Sequence, residues 1–430
     1  MTWRLRAFLW LWSACWHLGL PAILFYLRRR ARADPDYGMH LAERFGRHAD
    51  PMRGAVWVHA VSLGEVRSAV PLVRALLDRG ERVVLTHFTP AGRREAHRTF
   101  APEIAAGTVR AVWVPVETSW AYAGFFRAFA PKYGLVMEIE VWPRMVFAAR
   151  GAGVPLLMCN AQYPSRSMAR DARGWGIRHG IMRGFAGALV KSELQADRFA
   201  SIGMTNIAVT GELRFDQPVP DALVAAGRAA RSALAGDRAT VAFASVVEGE
   251  DETCIAAIRT LLSRPDRPFV VYVPRRPERF DATADRLRAA GLRVIRRSGA
   301  LDDAFAVRGA PEADILLGDS LGEMYGYLAM ADRVVVGGGF VPAGAHNIVE
   351  PLALRRPVIV GPHIHTIEYP ATEAIAAGVC LSVTDGDALI RTLADWPGAG
   401  ADRMDAFWTA HSGATARTVA AIPRLLAAAR

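Results

Sequence analysis

Residues 55–88 read AVWVHAVSLGEVRSAVPLVRALLDRGERVVLTHF. An apolar run of strand length, 55–61, leads into Ser62-Leu63-Gly64-Glu65. The next stretch, 66–80, has helical spacing and stops at Gly80. A second apolar run, 82–88, begins at once. Two mostly apolar strands without polar alternation, joined by a helix, predict a parallel sheet covered on both faces.

The same alternation continues outward. Apolar runs at 109–116, 133–140, 154–161, 187–192 and 206–213 extend the series, with helical segments between them. A break falls at Asp216-Gln217-Pro218-Val219-Pro220. The series then restarts at 240–246, 269–276, 292–298, 314–320, 333–339, 357–362 and 379–383, and helices at about 402–428 end the chain. The expected architecture is α/β, with two doubly wound Rossmann-like domains joined by a proline-bearing linker. In such sheets ligands sit at the carboxyl ends of strands.

Upstream of the first strand, residues 7–27 read AFLWLWSACWHLGLPAILFYL and carry no formal charge. As a helix this stretch spans roughly 31 Å, enough for a bilayer core. Trp10, Trp12, Trp16 and Tyr26 suit an interface, and Arg28, Arg29, Arg30 and Arg32 hold the next segment in the cytoplasm. A membrane anchor outside the catalytic fold is expected. His17 and Pro21 weaken the spanning reading and leave an in-plane helix as the alternative. Ala31-Arg32-Ala33 mimics a signal-peptide cleavage site, but the basic cluster before it argues against cleavage.

The chain has 430 residues, 52% hydrophobic and 22% charged, with formal net charge +10. This is material for two cores. Lys132 and Lys191 are the only lysines, so the positive excess is arginine. It favours phosphorylated substrates and anionic lipid, unless it reflects arginine-rich coding alone. No nucleic-acid module is recognisable, so nucleic acid is not an expected partner. Cys15, Cys159, Cys254 and Cys380 are widely spaced, which argues against a disulfide scaffold and a zinc site.

Several nucleotide and metal signatures are missing. Neither lysine follows a glycine, so there is no Walker A loop, and Pro342 stands where a third glycine would complete a dinucleotide fingerprint. Asp34-Pro35-Asp36 lies beside the anchor, and Asp385-Gly386-Asp387 reads as a helix cap. His363 and His365 suit a polar loop better than a metal. No metal and no cofactor are expected.

Four motifs carry chemistry. Gly64 allows a tight turn that sets Glu65 at a helix N-terminus, where the dipole favours an anion. Such a carboxylate suits a general base, or it is an ordinary helix-start glutamate. Glu138 and Glu140 end an apolar strand before Trp142-Pro143, on opposite faces if the strand continues. Pro274-Arg275-Arg276 ends a second-domain strand, where arginine suits a phosphate, although exposed arginines are common. Residues 337–351, GGGFVPAGAHNIVEP, run a glycine loop into a helix. Its amides suit a phosphate, and Asn347 and Glu350, three apart on one helical face, suit a ribose.

Together these motifs resemble the Kdo (3-deoxy-D-manno-octulosonic acid) transferases of lipopolysaccharide synthesis. The matching residues are His59 to Glu65, Glu138 to Pro143, Asn160-Ala161 with Ser165-Arg166-Ser167, Gly211 to Asp216, Pro274-Arg275, Leu321-Gly322-Glu323, the glycine loop through Pro351, and Gly361-Pro362-His363. The resemblance implies a GT-B glycosyltransferase whose two domains face a cleft, with boundaries at 1–32 for the anchor, 33–217 for the acceptor side and 218–430 for the donor side. It implies CMP-Kdo as donor, a phosphorylated lipid A precursor as acceptor, and the cytoplasmic face of an anionic inner membrane as location. By resemblance Glu65 is the proton acceptor and Glu138 the transition-state carboxylate. Arg214 stands where the family has lysine. Pro274, Arg275, Leu321, Gly322, Glu323, Asn347, Ile348, Val349 and Glu350 match the donor-nucleotide site.

The departures cluster in the donor-side half. Val246 and Val247 stand where the family has threonine and histidine, Arg276 replaces a histidine, and Thr366 replaces an asparagine. They leave open a paralogue using another nucleotide sugar or lipid, and a membrane-attached nucleotide- or lipid-binding protein without turnover.

Overall fold

The computed structural model describes residues 2–309 and 312–429. Seven parallel strands form the first sheet: β1 (Val56–His59), β2 (Val83–His87), β3 (Val109–Trp113), β4 (Gly134–Met137), β5 (Leu156–Ala161), β6 (Gly187–Val190) and β7 (Ile207–Val209). Their spatial order is β3-β2-β1-β4-β5-β6-β7. Seven more form the second: β8 (Thr240–Val246), β9 (Phe269–Pro274), β10 (Val294–Arg296), β11 (Ile315–Leu317), β12 (Arg333–Val336), β13 (Val358–Val360) and β14 (Cys380–Ser382), in the order β10-β11-β9-β8-β12-β13-β14. Each run expected to be a strand is one. β1, β2, β4, β5 and β6 are buried along their whole length, which is why they read as continuous apolar runs and not as alternation.

In each sheet the strand order reverses once. In the first sheet β1 lies between β2 and β4, with Val58 beside Leu135 and His59 beside Val136. In the second, β8 lies between β9 and β12. A doubly wound sheet opens a crevice at the carboxyl ends of the strands flanking this reversal, because the crossover helices there go to opposite faces.

The chain divides into two compact units, and the first is discontinuous. It comprises the residues up to Gln217 together with those from Ser412 onward, and the second runs from Pro218 to His411. This corrects the expectation that 218–430 is one domain. The terminal helix Ala414–Ala428 buries Val419, Ile422 and Leu425 in the same core as Leu72, Val73 and Leu76. Asp216 accepts hydrogen bonds from the Gly413 and Thr415 N–H groups at 2.6 and 2.5 Å, and Asn206 donates to the Leu425 carbonyl at 2.8 Å.

The N-terminal helix, Trp3–Arg30, is long and apolar enough to cross a membrane, with mean hydropathy 1.5 over its most apolar window. It is not separate from the fold, however. Leu5 and Leu9, one turn apart on one face, join the first unit's core beside Val146, Ile181 and Phe185. Arg144 reaches the Leu9 carbonyl at 3.1 Å and the Ser13 hydroxyl. Another side of the helix stays open, with Trp3, Trp10, Leu18 and Phe25 each more than two-thirds exposed. Pro21 is accommodated without ending the helix. The segment after the helix is also tied in: Glu43 pairs with Arg93 at 2.8 and 3.2 Å and accepts from the Trp113 N–H at 2.9 Å.

Candidate functional site

β1 and β4 deliver two carboxylates to the reversal point of the first sheet. After β1, Ser62 caps the helix Leu63–Asp78 by accepting from the Glu65 N–H. The Glu65 carboxylate turns back and accepts from the Val61 N–H at 2.8 Å and the Ser62 hydroxyl at 3.0 Å. This reciprocal arrangement is a form of capping box, so Glu65 is at once a helix-start glutamate and a half-buried acid at the crevice. Burial pushes its carboxyl up to about 8, against the two hydrogen bonds, and the nearby Glu140 and Glu138 charges push the same way. The expectation that the helix dipole keeps Glu65 ionised near neutrality is therefore corrected. Loss of water and two neighbouring carboxylates outweigh a dipole effect of about 1 kcal/mol.

β4 ends at Met137, and Glu138 takes a left-handed backbone, φ 54°. Glu138 and Glu140 thus lie on a turn, not on a continued strand. Glu140 accepts from Trp142 Nε1 at 2.6 Å, and burial raises its carboxyl pKa. Glu138 is held by Arg214 Nη2 at 3.2 Å and by Gln162 Nε2 at 3.3 Å. Arg214 also donates through Nε to Ser68 Oγ at 2.8 Å, so one guanidinium ties Glu138 to the helix whose first turn carries Glu65. The three expected catalytic residues, Glu65, Glu138 and Arg214, are brought together.

Three more residues complete this cluster and were not among the expected site residues. Lys191, directly after β6, is 1% exposed, with its ammonium 2.7 Å from Glu212 and 3.7 Å from Glu138. Burial alone would raise the Glu212 carboxyl, but Lys191, Arg214 and Asn160 overcome it and hold the group at about 2. Asn160, at the end of β5, donates to Glu212 at 2.8 Å and accepts from the Leu213 N–H at 3.1 Å. The carboxyl-end rule for parallel strands, applied to β5, β6 and β7 as it was to β1 and β4, points to all three.

In the second unit, Pro274 ends β9 and Arg275 follows it, its N–H donating to the Val246 carbonyl at 2.9 Å. The Arg275 and Arg276 side chains are exposed. Burial first, then these two cations, push the His346 imidazole down to about 4. Leu321 is 72% exposed, and Gly322 turns with φ 83°. Glu323 is engaged by Arg297 at 2.6 and 2.7 Å and by the Ser320 hydroxyl. The helix Val349–Ala353 starts two residues after Asn347, so Asn347 and Glu350 do not share a helical face. Asn347 Oδ1 instead accepts from the Val349 N–H at 3.0 Å, and Glu350 lies in the first turn, near Tyr325. Ile348 and Val349 are buried packing residues.

The glycine loop after β12 differs from the expected phosphate cradle. The buried Glu250 carboxylate accepts from the N–H groups of Gly338 at 2.8 Å, Phe340 at 2.9 Å and Val247 at 3.0 Å. Those amides are committed to an internal acid and cannot also bind an anion. Gly337 is required by the same contact, since a Cβ there would lie 2.7 Å from Glu250 Oε2 and 2.6 Å from the Ser245 carbonyl. Asp385 caps the helix Gly386–Asp395 through the Ala388 N–H at 2.8 Å, as expected. Among the described residues, no three His, Cys, Asp or Glu side chains form a metal-holding group.

Comparison with known proteins shows the family. The family model described as 3-deoxy-D-manno-octulosonic-acid transferase matches residues 39–217. A 3-deoxy-D-manno-octulosonic acid transferase of Bordetella pertussis is 39% identical over 423 residues, covering 94% of this chain and 96% of the relative. One from Haemophilus influenzae is 30% identical, covering 81% of each. Among solved structures, a glycosyltransferase of Rickettsia africae aligns with TM-score 0.55 at 11% identity, covering 88% of this chain and 98% of that one. A UDP-GlcNAc 2-epimerase of Neisseria meningitidis aligns with TM-score 0.58 at 12% identity, covering 87% and 99%. The last two speak to the two-sheet GT-B fold alone. The chain is a glycosyltransferase and belongs to the Kdo transferase family.

Proposed function

We propose that this enzyme transfers Kdo from CMP-Kdo to a hydroxyl of a phosphorylated lipid A precursor, with inversion and without a metal, at the cytoplasmic face of the inner membrane. The observation that carries the mechanism is the convergence of two carboxylates, Glu65 and Glu138, at one reversal point. Glu65, pushed up to about 8, is matched to accept a proton from an alcohol at neutral to mildly alkaline pH. The acceptor oxygen bonds to the anomeric carbon, the bond from that carbon to the CMP phosphate breaks, and the hydroxyl proton passes to Glu65. Glu138, fixed by Arg214 and Gln162, offers negative charge to the cationic character that develops on the sugar. Arg275 and Glu350 are assigned to the nucleotide, in the second unit. The arginine surplus and the exposed aromatics of Trp3–Arg30 support the membrane site.

The departures at the carboxyl end of β8 favour a second reading. Val246 and Val247 supply no side-chain hydrogen bond, and the Thr366 hydroxyl is engaged with the Ala345 carbonyl at 2.5 Å. A related donor sugar or lipid acceptor fits these changes. The test is incubation of purified full-length protein with CMP-Kdo and a tetra-acylated lipid A precursor, with and without EDTA, read by mass spectrometry. One or more Kdo increments in both arms is the expected result. Loss of product with EDTA contradicts metal independence, and product only with another donor or acceptor selects the second reading. Binding of CMP without product from any pair selects the non-catalytic protein.

A further inference from the structure

Lys191 has an unusual setting. The chain's positive charge is otherwise almost wholly arginine, and the second lysine, Lys132, lies at the surface against Glu81. Lys191 is enclosed at the carboxyl end of β6, 1% exposed, between the two carboxylates of Glu212 and Glu138. A compact ammonium with three donors can serve two carboxylates in a space too narrow for a planar guanidinium. Glu212 is itself 1% exposed and is saturated: Lys191 and Asn160 donate to it from side chains and Arg214 from its backbone N–H. The four charges of Glu138, Arg214, Lys191 and Glu212 sum to zero, with Glu138 set between the two cations.

We propose that Lys191, held by Glu212, is a positioning residue for Glu138, fixing that carboxylate from a second direction besides its Arg214 contact. The inference rests on the reading of Glu138 as the carboxylate that meets the sugar. Glu212 sets the distance. By drawing the ammonium to 2.7 Å from itself it leaves 3.7 Å to Glu138, close enough for attraction and too long for a full hydrogen bond. Glu138 is thereby confined while its oxygens remain available to a reacting sugar. Without Glu212, Lys191 would close on Glu138 and neutralise it.

A single Lys191 substitution strands Glu212 as a buried, uncompensated charge and risks unfolding. The test therefore uses pairs. Lys191→Glu with Glu212→Lys keeps the ion pair and the net charge but puts a carboxylate next to Glu138. Lys191→Met with Glu212→Gln removes both charges at similar volume. Thermal midpoint, kcat, and KM for CMP-Kdo and lipid are measured for each against wild type. The expected result is a midpoint within a few degrees of wild type, KM within about threefold, and kcat lowered about 10²-fold in the exchanged pair, the size of an electrostatic contribution to a transition state. A smaller loss is expected in the neutral pair. A folded exchanged pair with wild-type kcat overturns the proposal and leaves Lys191 a structural partner of Glu212. If the exchanged pair does not fold, the neutral pair decides on the same criterion. A wild-type enzyme inert with every donor and acceptor overturns the reading of Glu138 and this inference with it, whereas an active wild type beside an equally active variant overturns the inference alone.

Discussion

Trp12 Nε1 donates a hydrogen bond to Glu117 Oε2 at 3.0 Å, joining the N-terminal apolar helix to the segment that follows β3. Glu117 is 1% exposed and also accepts from the N–H groups of Arg144 and Met145 at 2.8 and 2.9 Å. These are the second and third residues of the helix Pro143–Gly151, whose own N-cap position, Trp142, supplies no side-chain cap. Glu117 caps that helix from outside and so fixes where the preceding turn ends.

Glu117→Ala should therefore cost roughly 3 kcal/mol or more, because two buried N–H groups lose their acceptor. Trp12→Phe removes one hydrogen bond and should cost about 1 kcal/mol. Thermal unfolding of both variants in the same detergent checks the ranking; equal midpoints would show that the cap is supplied elsewhere. Truncation to Asp50 should be worse than either, since it also removes Glu43 from Arg93 and Trp113.

Glu65→Gln should lower kcat by about 10²–10⁴-fold while donor and acceptor binding persist. Wild-type turnover should rise with pH up to about 8 and then level, following the Glu65 carboxylate. Stability should move the other way. The folded form holds its proton up to about 8 and the unfolded form only to about 4.5. The contribution is thus complete below about 4.5 and is lost as pH rises through about 8. Glu65→Gln should flatten that slope. A variant with unchanged kcat removes Glu65 from the base role.

Arg214→Lys should retain activity within roughly tenfold, because the cation beside Glu138 is kept while the planar fork that also reaches Ser68 is lost. Arg214→Ala should reduce kcat by about 10²-fold or more. Steady-state assays of the two variants side by side make the comparison, and similar losses in both would mean that geometry and not charge is what Arg214 supplies.

Glu250→Ala leaves the N–H groups of Gly338, Phe340 and Val247 without their acceptor, each costing about 1–3 kcal/mol where it stays buried. The second unit should lose stability, seen as hydrogen exchange rising first in 337–340. Protection unchanged in that loop would mean that water replaces the carboxylate.

Glu350→Ala should weaken CMP binding with little change in thermal midpoint, since the residue lies in the first turn of a short helix and not in the core. Calorimetric titration with CMP is the measurement, and unaltered affinity would move the nucleotide away from Glu350.

The strands were legible because burial on both faces leaves continuous apolar runs, and Glu65, Glu138 and Arg214 because each sits just past a strand end in a short, distinctive motif. Lys191 was not, although it too comes directly after a strand, since one lysine after an apolar run is indistinguishable in sequence from a solvated one. Its meaning depends on Glu212 and Glu138, 21 and 53 residues away in opposite directions. The glycine loop was only partly legible for a related reason. Its pattern records close backbone approach, and for Gly338 and Phe340 the partner approached is Glu250, an acid 88 residues upstream of Gly338. The pKa of Glu65 was hidden because the helix dipole is a local feature, whereas burial first, and then the carboxylates that follow β4, act through tertiary packing.

The return of Ala414–Ala428 to the first unit reverses the order of completion during synthesis. The stretch 218–411 is contiguous and can finish folding as soon as it clears the ribosome, but the core around Leu72 and Leu76 waits for residues 414–428. Until then the first unit exposes the apolar seam that Val419, Ile422 and Leu425 will cover. A chain cut before Val419 would leave that seam unsealed although its second unit is complete.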